Sequence, residues 1–115
     1  MDRNFVEAWL KQLIEYWFQK DIESAVSLFE KTVFYQETPF MQPYTTLEEI
    51  RKEWQHIKKE NIQHIEIKPL AIDENTVIAQ WILKQNNQNF DGVYEIKFNG
   101  NRECIYFKSW EMKDE

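Results

Sequence analysis

The chain has 115 residues, enough for one domain around one core and too few for two. Its net charge of -6 opposes the phosphate neutralisation that nucleic-acid binding requires, so DNA and RNA are set aside as partners. Cys104 is the sole cysteine, and His56 and His64 are the only histidines, so neither a disulfide framework nor a metal-ligand spacing is present and no cofactor is expected.

Residues from about Asn4 to Phe18 place Phe5, Val6, Trp9, Leu10, Leu13, Tyr16 and Trp17 on one side of a helical wheel, which predicts an amphipathic helix. Glu7 and Lys11 interrupt this first apolar segment. They predict no signal peptide and no membrane span, and the cytoplasm is the expected compartment. Asp21 is placed to cap a second helix whose Ile22, Ala25, Val26 and Phe29 recur at helical spacing until about Lys31.

The β-branched and aromatic run Thr32 to Glu37 predicts a strand that Pro39 ends, with Val33, Tyr35 and Glu37 on one face. Thr46 and Glu49 have the spacing of a capping box, and Leu47, Ile50, Trp54 and Ile57 form the buried stripe of the helix it opens. His56 falls off that stripe, which predicts a solvated side chain.

From Ile62 onward the apolar period is two. Ile65 and Ile67, then Val77 to Leu83, then Phe90 to Phe98 alternate with polar residues, and about Glu103 to Met112 is apolar on both phases. Asp73-Glu74-Asn75, Asn86-Asn87-Gln88-Asn89 and Asn99-Gly100-Asn101 are the connections, all good hairpin material, with Asn-Gly the strongest signal. The expected architecture is therefore α+β: three helices against one face of a curved antiparallel sheet, with a cavity where the helices cannot fill the concave side. Gly92, in mid-strand, is a candidate for the bend.

Several short stretches together resemble the nuclear transport factor 2-like superfamily, SnoaL-like branch, across nearly the whole chain. They are Trp17-Phe18 with Lys20-Asp21, Leu28-Phe29, Tyr35-x-Glu37-Thr38-Pro39-Phe40, Ile50 with Trp54, Asp91-Gly92-Val93-Tyr94 and Lys108-Ser109-Trp110. The resemblance is greatest to small uncharacterised bacterial members, although these carry Arg-Glu where this chain has Lys108-Ser109. It implies a cone-shaped, cystatin-like fold and a homodimer, and the superfamily includes isomerases, cyclases, dehydratases and binding modules. It also excludes: the base of ketosteroid isomerases, directly before a proline, falls on Thr38, and their oxyanion-stabilising tyrosine falls on Leu13.

Glu37 is the candidate catalytic residue, since a carboxylate desolvated on an apolar face has a raised pKa and can act as general acid or base. The alternative is a carboxylate that simply accepts hydrogen bonds from the turn at Pro39. Trp54, Trp81 and Tyr94 are candidate pocket walls or plain core, and Tyr16 and Tyr35 are candidate hydroxyl donors to a ligand. Asp91 and His64 lie on polar phases, and Cys104 has no activating neighbour. Ile78, Ile82 and Val93 make the outer sheet face apolar, as a sheet-to-sheet homodimer requires.

Three functions stay open. The first is a pocket that binds a small, mainly apolar molecule. The second is a cofactor-independent isomerase, dehydratase or cyclase using Glu37. The third is a structural or protein-interaction homodimer.

Overall fold

Asp2 caps the first helix by accepting a hydrogen bond from the Asn4 N–H at 2.7 Å, and α1 runs over Arg3–Gln19. This computed structural model describes residues 1–113. Val6, Trp9, Leu10 and Leu13 are the buried stripe of α1. Lys20 ends it in the left-handed conformation, and Asp21, the next residue, caps α2 over Ile22–Ser27. The expected second helix is too long. After Ser27 the chain leaves the helix in turns that carry Phe29 into the core and Thr32 to the sheet, where the Thr32 hydroxyl donates to the Cys104 carbonyl at 2.8 Å.

The first strand is shorter than the run of β-formers predicts. β1 covers only Phe34–Gln36, and Val33, expected to share the inner face with Tyr35, is 66% exposed. The physical reason lies in the partner. β1 pairs in parallel with the last strand, through Phe34 with Tyr106 and Gln36 with Lys108, and just before it the Val33 N–H donates to the Ile105 carbonyl at 3.0 Å. Glu37 leaves the ladder immediately after it.

An isolated bridge between Tyr35 and Tyr44 then closes the loop holding the two prolines. Gln36 pins the loop from within, donating from Nε2 to the Met41 carbonyl at 2.6 Å. Thr46 and Glu49 form the expected capping box, and α3 follows over Leu47–Trp54. The helix tightens into a 3-10 turn at Gln55–Lys59, which keeps Ile57 buried.

β2 (Ile62–Asp73), β3 (Thr76–Gln85), β4 (Gln88–Phe98) and β5 (Cys104–Lys113) form the predicted antiparallel meander, and the open sheet has the order β1-β5-β4-β3-β2. The two-residue turns Glu74-Asn75 and Asn86-Asn87 join the first three of these strands, and both Asn86 and Asn87 take positive φ. Asn99-Gly100-Asn101 does join β4 to β5 as a hairpin, but not through a two-residue turn. Asn99 to Glu103 form a wider loop in which Arg102, not Gly100, is left-handed, while the Asn99 side chain accepts from the Asn101 and Glu103 N–H groups.

The sheet register runs unbroken through Gly92, so that residue is not a bulge; the irregularities fall at Ile62/His64, Pro69/Ala71 and Lys97/Phe98. Gly92 instead makes space. A side chain there would meet the Trp81 indole at 2.5 Å and the Trp110 carbonyl at 2.3 Å.

The helices lie on one face of the sheet, α1 across β2 and α2 beside α3. Phe29 sits at the centre of the core and makes edge contacts with Trp9, Tyr35 and Phe107. Each such pair adds roughly 0.5–1.5 kcal/mol beyond simple burial. On the outer side of β5, Trp110 and Met112 are 39% and 74% exposed. Among the described residues no helix is long and apolar enough to cross a membrane.

Candidate active site

Between the concave side of the sheet and the ends of α1 and α3 lies an open cavity of about 160 Å³. Three layers of the fold build it. Trp17 enters from α1, and Glu53 and Trp54 from α3. Trp81, Tyr94 and Phe107 rise from the inner phases of β3, β4 and β5. Trp17 and Trp54 meet edge to face at 5.7 Å, while Trp81 and Tyr94 stack at 5.5 Å, so both walls of the cavity carry paired aromatic rings.

Trp81 lies flat over β4 because Gly92 offers no side chain, and its indole N–H donates to the Ser109 hydroxyl at 3.0 Å. Ser109 is therefore a positioning group on the inner phase of β5. Two residues further along that phase, Glu111 also lines the cavity.

Glu37 reaches the cavity from the end of β1. The fully buried Tyr35 hydroxyl donates to Glu37 Oε2 at 2.7 Å, and the Tyr35 ring is fixed by stacking on Phe107. Burial raises the Glu37 carboxyl from its ordinary range to about 7; the Tyr35 hydrogen bond opposes that rise, and the negative charges of Glu53 and Glu111 add to it. The side chain is only half-buried by surface area, since the open cavity wets one side, yet protein surrounds it on the others. The same burial, reinforced by the Glu37 charge, holds the Tyr35 and Tyr94 hydroxyls well above the ordinary phenol value.

At neutral pH the cavity thus contains a carboxyl divided between its two protonation states beside two tyrosines that stay protonated. Such a group can take up or return a proton.

Glu53 is held by the Tyr44 hydroxyl, which donates to it at 2.7 Å; His56, expected to be solvated, is 75% exposed but stands 3.5 Å from Glu53 on the cavity rim. The Trp54 indole N–H is buried without a hydrogen-bond partner, turned toward the Tyr35 hydroxyl without reaching bonding geometry.

Of the residues singled out by sequence, Tyr35, Glu37, Trp54, Trp81 and Tyr94 converge on this cavity. Tyr16 does not line it. It is the α1 residue just before Trp17, and the helical turn between neighbours sends Trp17 inward instead. Nor is the Tyr35 hydroxyl a free donor, because Glu37 occupies it. Asp91 and His64 are exposed; Cys104 is buried, and burial pushes its thiol up to about 12. Trp17, Glu53, Ser109 and Glu111 were missed. Alternation from Phe107 would have placed the last two.

Three helices on one face of an open, mainly antiparallel five-stranded sheet define an α+β cone with a cavity at its wide end. The fold is the nuclear transport factor 2-like, SnoaL-like fold. No protein-family model matches the sequence, and no curated protein matches it.

Solved structures do match. A nuclear transport factor 2-like protein of unknown function from Burkholderia xenovorans LB400 superposes with a TM-score of 0.78 at 10% identity, covering 97% of this chain and 86% of that one. A steroid delta-isomerase from Pseudomonas aeruginosa gives 0.71 at 13% identity, covering 97% and 82%. A protein assigned as a SnoaL-like polyketide cyclase from Shewanella denitrificans OS-217 gives 0.69 at 11% identity, covering 92% and 89%. At these identities the likeness concerns the fold alone.

Proposed function

We propose that this chain binds a compact, mainly apolar molecule between the walls formed by Trp17 and Trp54 on one side and Trp81 and Tyr94 on the other. The observation that carries this reading is the open cavity itself, walled by the rings of Trp17, Trp54, Trp81 and Tyr94, with the carboxylates Glu37, Glu53, Glu60 and Glu111 set among them. Its volume of about 160 Å³ lies below the ~300–1,000 Å³ of drug-sized sites, which favours a compact molecule over one of steroid size. The test is a panel of compact apolar acids, ketones and amines, read by the melting temperature and by quenching of tryptophan fluorescence. A bound compound raises the first and changes the second; no response to any member refutes the reading.

A second reading has its own support. Glu37, hydrogen-bonded to Tyr35 at 2.7 Å and titrating at about 7, suits cofactor-independent proton transfer, as in an isomerase, dehydratase or cyclase. A steroid delta-isomerase and a polyketide cyclase assignment among the fold neighbours fit this chemistry, while Thr38 and Leu13 argue against the ketosteroid isomerase version of it. Glu37→Gln is expected to retain ligand affinity and abolish turnover, and an active Gln variant would exclude Glu37 as the acid/base.

The outer sheet face supports a homodimer. Trp110 and Met112 are exposed there beside the part-exposed Ile78, Ile82 and Val93. Light scattering on the purified chain, with Trp110→Glu as the disrupting variant, tests it.

A further inference from the structure

Four carboxylates reach the cavity, each from a different part of the fold. Glu37 follows β1, Glu53 belongs to α3, Glu60 follows the 3-10 turn and Glu111 lies on β5. Among the described residues no lysine or arginine lines the cavity, and the basic side chain that does, His56, is on the rim beside Glu53. The carboxylates do not form a metal-ligand set: among the described residues no three His, Cys, Asp or Glu side chains come together in that way. They stand around ring faces instead, and a ring face attracts a cation through its quadrupole.

Trp54, which lines the cavity, is 6% exposed, and its indole N–H turns toward the Tyr35 hydroxyl, the group that holds Glu37.

We infer that the cavity takes a small organic cation, an ammonium whose charge lies among Glu37, Glu53 and Glu111 and whose apolar body lies against the tryptophan walls. This rests on the binding reading above and names the class of ligand. Acidic side chains without lysine or arginine repel carboxylates and attract amines, and the chain's net charge of -6 steers in the same direction. The apolar body satisfies the rings, and the ammonium offers the donors that the carboxylates lack.

A cation beside Glu37 also favours its ionised form. The groups facing Glu37 are Tyr35 from β1, Glu53 from α3, Tyr94 from β4 and Glu111 from β5, with Glu60 and His56 at the rim. None brings a fixed positive charge, so binding an ammonium near pH 7 releases a proton, and affinity rises from pH 6 to pH 8.

The experiment pairs benzylamine, phenethylamine, cyclohexylamine and choline with their neutral isosteres and with carboxylates of matching size. Melting temperature and titration calorimetry are the readouts, the latter in two buffers of different ionisation enthalpy. The ammonium members are expected to bind at least tenfold more tightly than their isosteres and to release protons. Glu53→Gln and Glu111→Gln, which keep side-chain shape and the acceptor for Tyr44, should each weaken the amines about fivefold and leave the alcohols unchanged. Alcohols or carboxylates that bind as well as the amines would overturn the cation assignment while preserving the binding site. Failure of every compound would refute both.

Discussion

The Trp81 indole occupies the space that a side chain at Gly92 would take, 2.5 Å from where its Cβ would stand. Gly92→Ala must therefore move the indole, and it also presses on the Trp110 carbonyl at 2.3 Å, which is main chain and cannot turn aside. Overpacking of this kind costs about 3 kcal/mol. Urea unfolding is the measure. A loss under ~0.5 kcal/mol would mean that the sheet yields more easily than its unbroken register implies.

Protonation of Glu37 is linked to stability. Its carboxyl binds a proton more tightly in the folded chain, at about 7, than in the unfolded one, near 4.5. Between those values the folded state holds more protons, so stability falls as pH rises through the window and levels off above it. Glu37→Gln removes the penalty. The variant is expected to exceed the parent by ~2 kcal/mol at pH 8, less than the full conversion of the shift because the cavity admits water, and to match it near pH 4. Chemical denaturation across pH 4–8 checks both the sign and the window.

Tyr35→Phe takes away the hydrogen bond that steadies the Glu37 carboxylate and leaves its burial unchanged. The carboxyl is expected to titrate above 7 in this variant. Carbon-detected NMR of the glutamate carboxyl reads it directly, and an unchanged or lower midpoint would contradict the arrangement.

Cys104 should resist thiol reagents. It is buried, its thiol is pushed up to about 12, and its neighbours offer no base. Labelling at pH 8 is expected to proceed only as fast as the chain unfolds and to accelerate with urea.

How much of this was legible in sequence follows from the range of the interactions involved. The Thr46–Glu49 capping box and the alternation of Val77 to Leu83 are local patterns, and both appear in the structure as read. The end of the first strand was not legible, because it is set by the length of pairing with β5 some 70 residues away. The hairpin at Asn99-Gly100 was legible but its width was not, because the Asn99 side chain captures two backbone N–H groups and draws the turn into a wider loop.

In the cavity, Trp54, Trp81 and Tyr94 were found from their apolar phases. Glu53 was not, since beside Lys52 it reads as an ordinary solvated helix charge. What the sequence does not display is the Tyr44 hydroxyl, nine residues earlier, donating to Glu53 at the cavity. Glu111 and Ser109 obey the same alternation as Phe107, but their polarity masked it.

The parallel pairing of β1 with β5 has a consequence for the order in which the molecule assembles. The meander from β2 to β5 is built from neighbouring hairpins, whereas Phe34 must find Tyr106 across most of the chain. Contacts between nearby residues close early and distant ones late. Because β1 is three residues long, its docking adds few hydrogen bonds, and Tyr35 and Glu37 arrive with it. A folding intermediate with its hairpins formed would have the tryptophan floor but no central carboxylate. The wall of the cavity that Tyr35 and Glu37 form would then be the last to close.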